Sequence, residues 1–274
     1  MSIETRLRDK LPRHGEVIAR LALLLRADMT PVVTVAGKYN HGKSSLLNEL
    51  VGQPVFEVAD RRMTVDLHTH AAGNIRWLDA PGLDADVSGA DDRKAIEGAL
   101  GRADVRLFVH SVKEGELDAH EVQWLQAFRE DEKATGRPTL VVLSQADQMP
   151  DADTLASVCD AVKRQAGDLP CFLTSSTRHH KGQAENKQGL IRQSGMHELR
   201  AGIAMAMARV SQARGTEMAS LVAALDTALR KKAQSLRRTR DRLVTTQESD
   251  VGEFVRGVER ALQTGMSIMR DGTR

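Results

Sequence analysis

Apolar residues recur at Leu7, Leu11, Val17, Ile18, Leu21, Leu24 and Leu25, mostly three and four apart. That spacing predicts a helix over residues 2–28 with one apolar face. Pro12, which lacks an amide proton, predicts an interruption near its start. The pattern then changes. Short apolar runs at 31–36, 74–78, 105–110, 139–143 and 171–174 alternate with helix-like stretches. Runs apolar on both faces are what strands buried between two helical layers require. Their alternation with helices predicts an α/β fold with a doubly wound, mostly parallel sheet. From residue 196 onward there is no proline. Met218, Val222, Leu225, Leu229 and Leu236 form one apolar stripe there, and Val251, Phe254, Val258 and Leu262 a second. Two or three helices are expected, with breaks at Gly215 and around 245–250. Such stripes need cover, so the tail is expected to join the first helix in a small helical bundle. The expected division is an N-terminal helix at 1–28, an α/β domain at 29–200 and a helical segment at 201–274.

Composition narrows the class. The chain has 274 residues, 28% of them charged, which is ordinary for a globular protein. No apolar run approaches the roughly 18 residues that a spanning helix needs. The N-terminus has no apolar signal core, and Cys159 and Cys171 have no metal-ligand spacing, so a reduced cytoplasmic setting is expected. A net charge of +2 predicts no bulk affinity for nucleic acid, and 3% aromatic residues leave little for base stacking. The charge is uneven, with +5 over residues 196–274 and −3 over the rest. Residues 230–242 hold Arg230, Lys231, Lys232, Arg237, Arg238, Arg240 and Arg242 against Asp241 alone, beside a heptad row of Leu229, Leu236 and Leu243. The row is expected to be buried in the bundle. The basic rows suit an acidic partner or an anionic membrane surface, which would place the protein peripherally at a membrane.

After the apolar run ending at Ala36 come Gly37, Lys38, Tyr39, Asn40, His41, Gly42, Lys43, Ser44 and Ser45, followed by a helix-like stretch. Glycines at the first and sixth positions, then lysine and serine, form a phosphate loop in its required strand–loop–helix setting. Gly37 and Gly42 let the backbone N–H groups curl toward phosphate oxygens. The helix start adds its positive end. Lys43 reaches the β and γ phosphates, and Ser44 offers a hydroxyl to Mg²⁺. At the end of a later strand, Asp79 precedes Ala80, Pro81 and Gly82. Asp79 is a candidate for Mg²⁺, directly or through water, and the Gly82 N–H for the γ-phosphate. Thr64 is the candidate to close over metal and phosphate, with Thr69 its competitor. Arg61 and Arg62 could meet transition-state charge. The strand at 139–143 runs into Ser144, Gln145, Ala146 and Asp147. A carboxylate at Asp147 can accept both N1–H and N2–H of guanine, a pair that adenine does not present. Ser175 and Ser176, after the next strand, could offer backbone N–H groups to the guanine oxygen.

In this order, these elements resemble the TRAFAC class of P-loop GTPases over about residues 31–200. The loop is most similar to those of bacterial dynamin-like GTPases, with the Era and TrmE-like GTPases next. The flanking helices favour the dynamin-like side, although 274 residues are too few for the stalk and paddle of full dynamins. The resemblance implies a Mg²⁺-dependent enzyme that converts GTP to GDP and phosphate. It also implies Gln145 in the base-contact segment, where the family usually has lysine, and Asn40, His41 and Ser45 within the nucleotide-binding loop. Leu83 follows Gly82 where Ras-like proteins have glutamine. The GTPases with a hydrophobic residue there obtain catalysis otherwise, through dimerisation of the G domains or K⁺. A homodimer or a helical-bundle partner is therefore expected. Other readings are a nucleotide switch with negligible hydrolysis, an Era-like ribosome-associated GTPase, and more distantly a nucleotide kinase. The helical tail shows no RNA-binding module, which argues against the ribosomal reading.

Overall fold

The computed structural model describes residues 2–26, 30–56, 68–80 and 101–271, with the side chains of the last helix described to residue 266. The chain opens with α1 (Ile3–Lys10), capped by the Ser2 side chain, which accepts from the Thr5 N–H. Pro12 starts a single 3-10 turn, Pro12–His14, and α2 follows at Gly15–Leu24. The strands are β1 (Val32–Ala36), β2 (His68–Ala72), β3 (Ile75–Asp79), β4 (Val105–Ser111), β5 (Thr139–Ser144) and β6 (Cys171–Leu173). Between and after them lie α3 (Lys43–Val51), α4 (Ala119–Thr135), α5 (Ala152–Ala166), α6 (Ser176–Ala184), α7 (Gln188–Gln193) and α8 (Met196–Asp271).

The six strands of the described sheet run in the order β2-β3-β1-β4-β5-β6. All pairings are parallel except β2 with β3. The carboxyl ends of β1, β3, β4, β5 and β6 therefore share one edge of the sheet, where ligands bind in open α/β folds. One face packs Val33, Val35 and Leu107 on Leu46, Leu47 and Leu50 of α3, together with Met196, Leu199, Ile203 and Val210 of α8. The other packs Phe108, Val141 and Leu143 on Leu125 and Phe128 of α4 and Val162 and Ala166 of α5. Burial on both faces explains why these strands read as continuous apolar runs.

The chain divides into two compact units, one of Ala19–Leu221 and one of Met1–Ile18 with Val222–Arg274. The α/β unit thus reaches beyond the expected 29–200 on both sides. The reason is packing. The first turns of α8 supply core side chains, and Glu217 accepts from Arg20 Nε at 2.9 Å and Nη2 at 2.7 Å. Asp104, at the start of β4, accepts from Arg214 Nε and Nη2 at 2.9 and 2.7 Å.

Two expectations about the tail need correction. It is one helix rather than two or three, continuous through Gly215 and 245–250. A glycine inside a helix costs only about 1 kcal/mol. Thr245 and Thr246 turn their hydroxyls back to the carbonyls of Asp241 and Arg242, at 3.0 Å each, and stay within the helix. The leucine row is also not buried, since Leu229, Leu236 and Leu243 are 37%, 58% and 64% exposed.

Candidate nucleotide site

The loop after β1 is shaped by its glycines. Gly37 has φ +151°, and a Cβ there would overlap the carbonyl oxygen of Val109 on β4. Only glycine lets the loop pass this close to the neighbouring strand. Gly42 has φ +82° and caps the start of α3, while Asn40 takes the left-handed conformation at φ 58°. Lys43 is the first residue of α3. Its side chain is buried and curls back so that Nζ donates to the Lys38 carbonyl at 2.7 Å. A lysine bonded to its own loop's carbonyl stands over the loop, where an anion would sit. The first-turn N–H groups of α3 open in the same direction and favour negative charge.

Ser44 and Asp79 come from α3 and the end of β3, and Ser44 Oγ donates to Asp79 Oδ2 at 2.8 Å. A hydroxyl and a carboxylate at this distance are hard oxygen donors that fit Mg²⁺, which binds through one or two protein oxygens and completes its shell with phosphate and water. Ser45 is the next residue of α3 and half-buried. Thr64 and Gly82, with Arg61, Arg62 and Leu83, lie outside the described residues. Thr69, the competitor of Thr64, lies in β2 opposite Leu78.

The loop is braced by residues that follow β5. Ser144 Oγ donates to the His41 carbonyl at 2.7 Å. Gln145, itself at φ 60°, donates from Nε2 to the Asn40 carbonyl at 2.8 Å and accepts from Ser111 Oγ at 2.7 Å. The amide that stands in the lysine's place thus ties the phosphate loop to β4. Asp147 sits in a 3-10 turn, Ala146–Gln148, and accepts from Ser175 Oγ at 2.5 Å. That bond orients the carboxylate while its other oxygen keeps acceptor capacity. The backbone role expected for Ser175 is corrected: its N–H donates to the Ser194 carbonyl at 2.9 Å, as the turn between α7 and α8 folds back on β6. Ser176 begins α6 beside it.

Sequence reasoning did not find the polar cluster behind the loop. His41 and Glu121 are each 3% exposed and His110 is 0% exposed, with Lys38 and Asp118 adjoining them. Burial is the chief cause that depresses the His41 pKa, to about 4. Burial alone would raise the Glu121 carboxyl, but the bond to His110 leads the contacts that outweigh it, and the pKa lies below the usual carboxylate range. Burial likewise opposes the Lys38 ammonium, yet Asp118 and Glu121 hold its pKa above the ordinary value. The one sequence signal was Asp118 three residues before Glu121, ahead of an apolar helix, a spacing that makes a capping box.

A glycine-rich loop between a buried parallel strand and a helix, a lysine on that helix's first residue and a serine–aspartate oxygen pair beside it define a P-loop nucleotide-binding domain. Residues 32–145 match the family described as 50S ribosome-binding GTPase. Residues 32–145 therefore carry a P-loop GTPase domain, similar to those of the TRAFAC class. A protein of Acinetobacter baylyi, named only as uncharacterized, is 43% identical over 248 residues, which are 90% of this chain and 59% of that protein. The GTPase Era of Aquifex aeolicus is 27% identical over 147 residues, 50% of this chain and 48% of Era. The chain thus spans about half the length of these curated relatives. A solved chain from an oligomerised bacterial dynamin pair, described as sensing and tethering membranes at long range, aligns with 98% of this chain and 51% of its own length. Its TM-score is 0.55 at 15% identity, a likeness of fold.

Proposed function

We propose that this chain binds a guanine nucleotide and hydrolyses GTP to GDP and phosphate in the manner of a bacterial dynamin-like GTPase. The observation that carries this reading is the convergence, on one sheet edge, of the glycine-shaped loop, Lys43, the Ser44–Asp79 pair and the braced Asp147. Lys43 and the first-turn N–H groups of α3 would hold the β and γ phosphates and the charge that accumulates on them as water attacks the γ phosphorus. Asp147 would accept N1–H and N2–H of the base, with Ser175 orienting it and Gln145 stiffening the loop beneath. Ser44 and Asp79 would hold Mg²⁺, which supplies charge neutralisation between the phosphates. Thr64 and the Gly82 N–H are assigned to the γ-phosphate side from sequence alone. Positioning and electrostatics would supply nearly all of the catalysis.

Leu83 has no amide with which to orient water, so turnover by a single domain is expected to be slow. Activation then comes from a second G domain or from K⁺. The fold likeness to a bacterial dynamin supports the first source. Era-like work on the ribosome is the alternative, and the all-helical tail weighs against it. Phosphate release from GTP, measured over a hundredfold range of protein concentration in Na⁺ and in K⁺ buffers, tests this. Specific activity that rises with concentration supports dimer activation. Strict proportionality in both buffers removes it, and no GTP-dependent phosphate at any concentration removes the enzyme.

A further inference from the structure

Behind the phosphate loop, Glu121 is a buried carboxylate on which three elements converge. From β4, His110 Nδ1 lies 2.8 Å from Glu121 Oε1, and His110 Nε2 lies 2.9 Å from the Gly115 carbonyl. From the loop, His41 Nδ1 lies 3.7 Å from Oε1, and Lys38 Nζ 3.6 Å from Oε2 while also pairing with Asp118. From its own helix, the Asp118 N–H donates to Oε2 at 3.2 Å. Ser144 Oγ, which reaches the His41 carbonyl, lies 3.1 Å from the His110 carbonyl as well.

Two chemistries could use this cluster. His41, His110 and Glu121 offer ligand atoms within 4.8 Å of one another, a set that a zinc ion could take. The surroundings oppose it. Lys38 already approaches the carboxylate, and the second positive side chain near His41 is Lys43. The ring of His110 faces an acceptor at each nitrogen. Both ring nitrogens are thereby engaged with oxygen atoms of the chain. With His110 at one oxygen and Lys38 at the other, the Glu121 carboxylate is engaged on both sides without metal.

We propose that Glu121 is a positioning residue for nucleotide binding. It clamps the outer half of the phosphate loop, through Lys38 and His41, to the junction of β4 and α4, and His110 anchors the carboxylate to β4. The loop conformation that receives phosphate is then held from behind, independently of the ligand. This rests on the nucleotide-binding reading of the loop, so the test needs one readout that does not. Two residues that act through one carboxylate lose little more together than either alone, whereas independent contacts add.

The experiment uses the full chain with Glu121→Gln, His110→Gln, the two combined, and the more exposed Lys38→Gln. Amide hydrogen exchange of residues 37–42 without nucleotide, and titration with fluorescent GDP, are measured for each. Each single variant is expected to exchange faster in the loop and to bind GDP on the order of tenfold more weakly, about 1.4 kcal/mol. The double variant is expected to lose no more than about threefold beyond Glu121→Gln alone, because both changes act through the one carboxylate, and fully additive losses would overturn that shared role. If Glu121→Gln does not fold, Lys38→Gln carries the test through the same two readouts. Unchanged loop exchange in the folded variants would overturn the clamp even where GDP binds. One equivalent of zinc in the parent protein, lost in Glu121→Gln, would overturn it in favour of a metal site. A parent that binds no GDP yet shows the exchange pattern would sink the nucleotide reading and leave the clamp.

Discussion

At the scale of single residues, the site divides by how far its partners lie along the chain. Gly37, Gly42, Lys43 and Ser44 are neighbours in sequence, and their chemistry is local, so they could be read before any fold was known. Asp147 stands out by its order after a buried run, and it lies in the 3-10 turn that follows β5. His110 and Glu121 were not, because only the register of β4 beside β1 brings His110 to a loop residue far away in sequence. Lys43→Ala should weaken guanine nucleotide binding while the fold persists. A hydrogen bond to a charged group is worth about 1.5–3 kcal/mol, so the dissociation constant should rise roughly ten- to a hundredfold. A titration that shows no change would remove Lys43 from the site. Acid should destabilise the protein. His41 has a folded pKa of about 4 against an ordinary 6.5, so the unfolded chain takes up a proton that the folded one refuses. Stability should therefore be present in full above pH 6.5 and fall as the pH drops toward 4. The lowered carboxyls of Glu121 and Asp131 add the same sign further down. Denaturant midpoints for the parent and for His41→Gln between pH 7 and 4 check this. The variant should lose less stability over that range, and equal slopes would contradict the buried neutral ring.

At the scale of elements, β1, β4 and β5 were legible because burial on both faces leaves an uninterrupted apolar run, whereas β2 has no such run, and Pro12 marked its turn correctly. The tail was misread because glycine and threonine are weak breakers, and a long helix tolerates their modest cost. Exposure of the leucine row was illegible in another sense, since periodicity reveals an apolar stripe without revealing what covers it. The basic stretch 230–242 is also exposed, and among the described residues Arg230 pairs with Asp226 and Arg240 with Asp241 on the same helix. Such surface pairs hold little energy and leave the remaining charge available to an anionic surface, at about 1 kcal/mol for each basic residue near it. Co-sedimentation with vesicles containing phosphatidylserine should exceed that with neutral vesicles and should fall with salt. Equal or absent pelleting with both would remove the membrane from the account.

At the scale of the whole molecule, two units share one chain, and the helix α8 contributes to both. Its first turns belong to the core of the α/β unit, which is why division by sequence pattern at residue 200 fell short. No helix among the described residues is long and apolar enough to cross a membrane. The central claim is that the α/β unit is a guanine-specific nucleotide site. Competition binding of GTP, ATP and xanthosine triphosphate, with Mg²⁺, to the parent chain and to Asp147→Asn tests it most directly. The parent should prefer GTP over ATP by at least about tenfold, the value of one lost charged hydrogen bond. The variant should lose GTP and gain xanthosine triphosphate, whose base presents an acceptor where guanine has a donor. A parent that binds ATP as tightly as GTP would contradict the account.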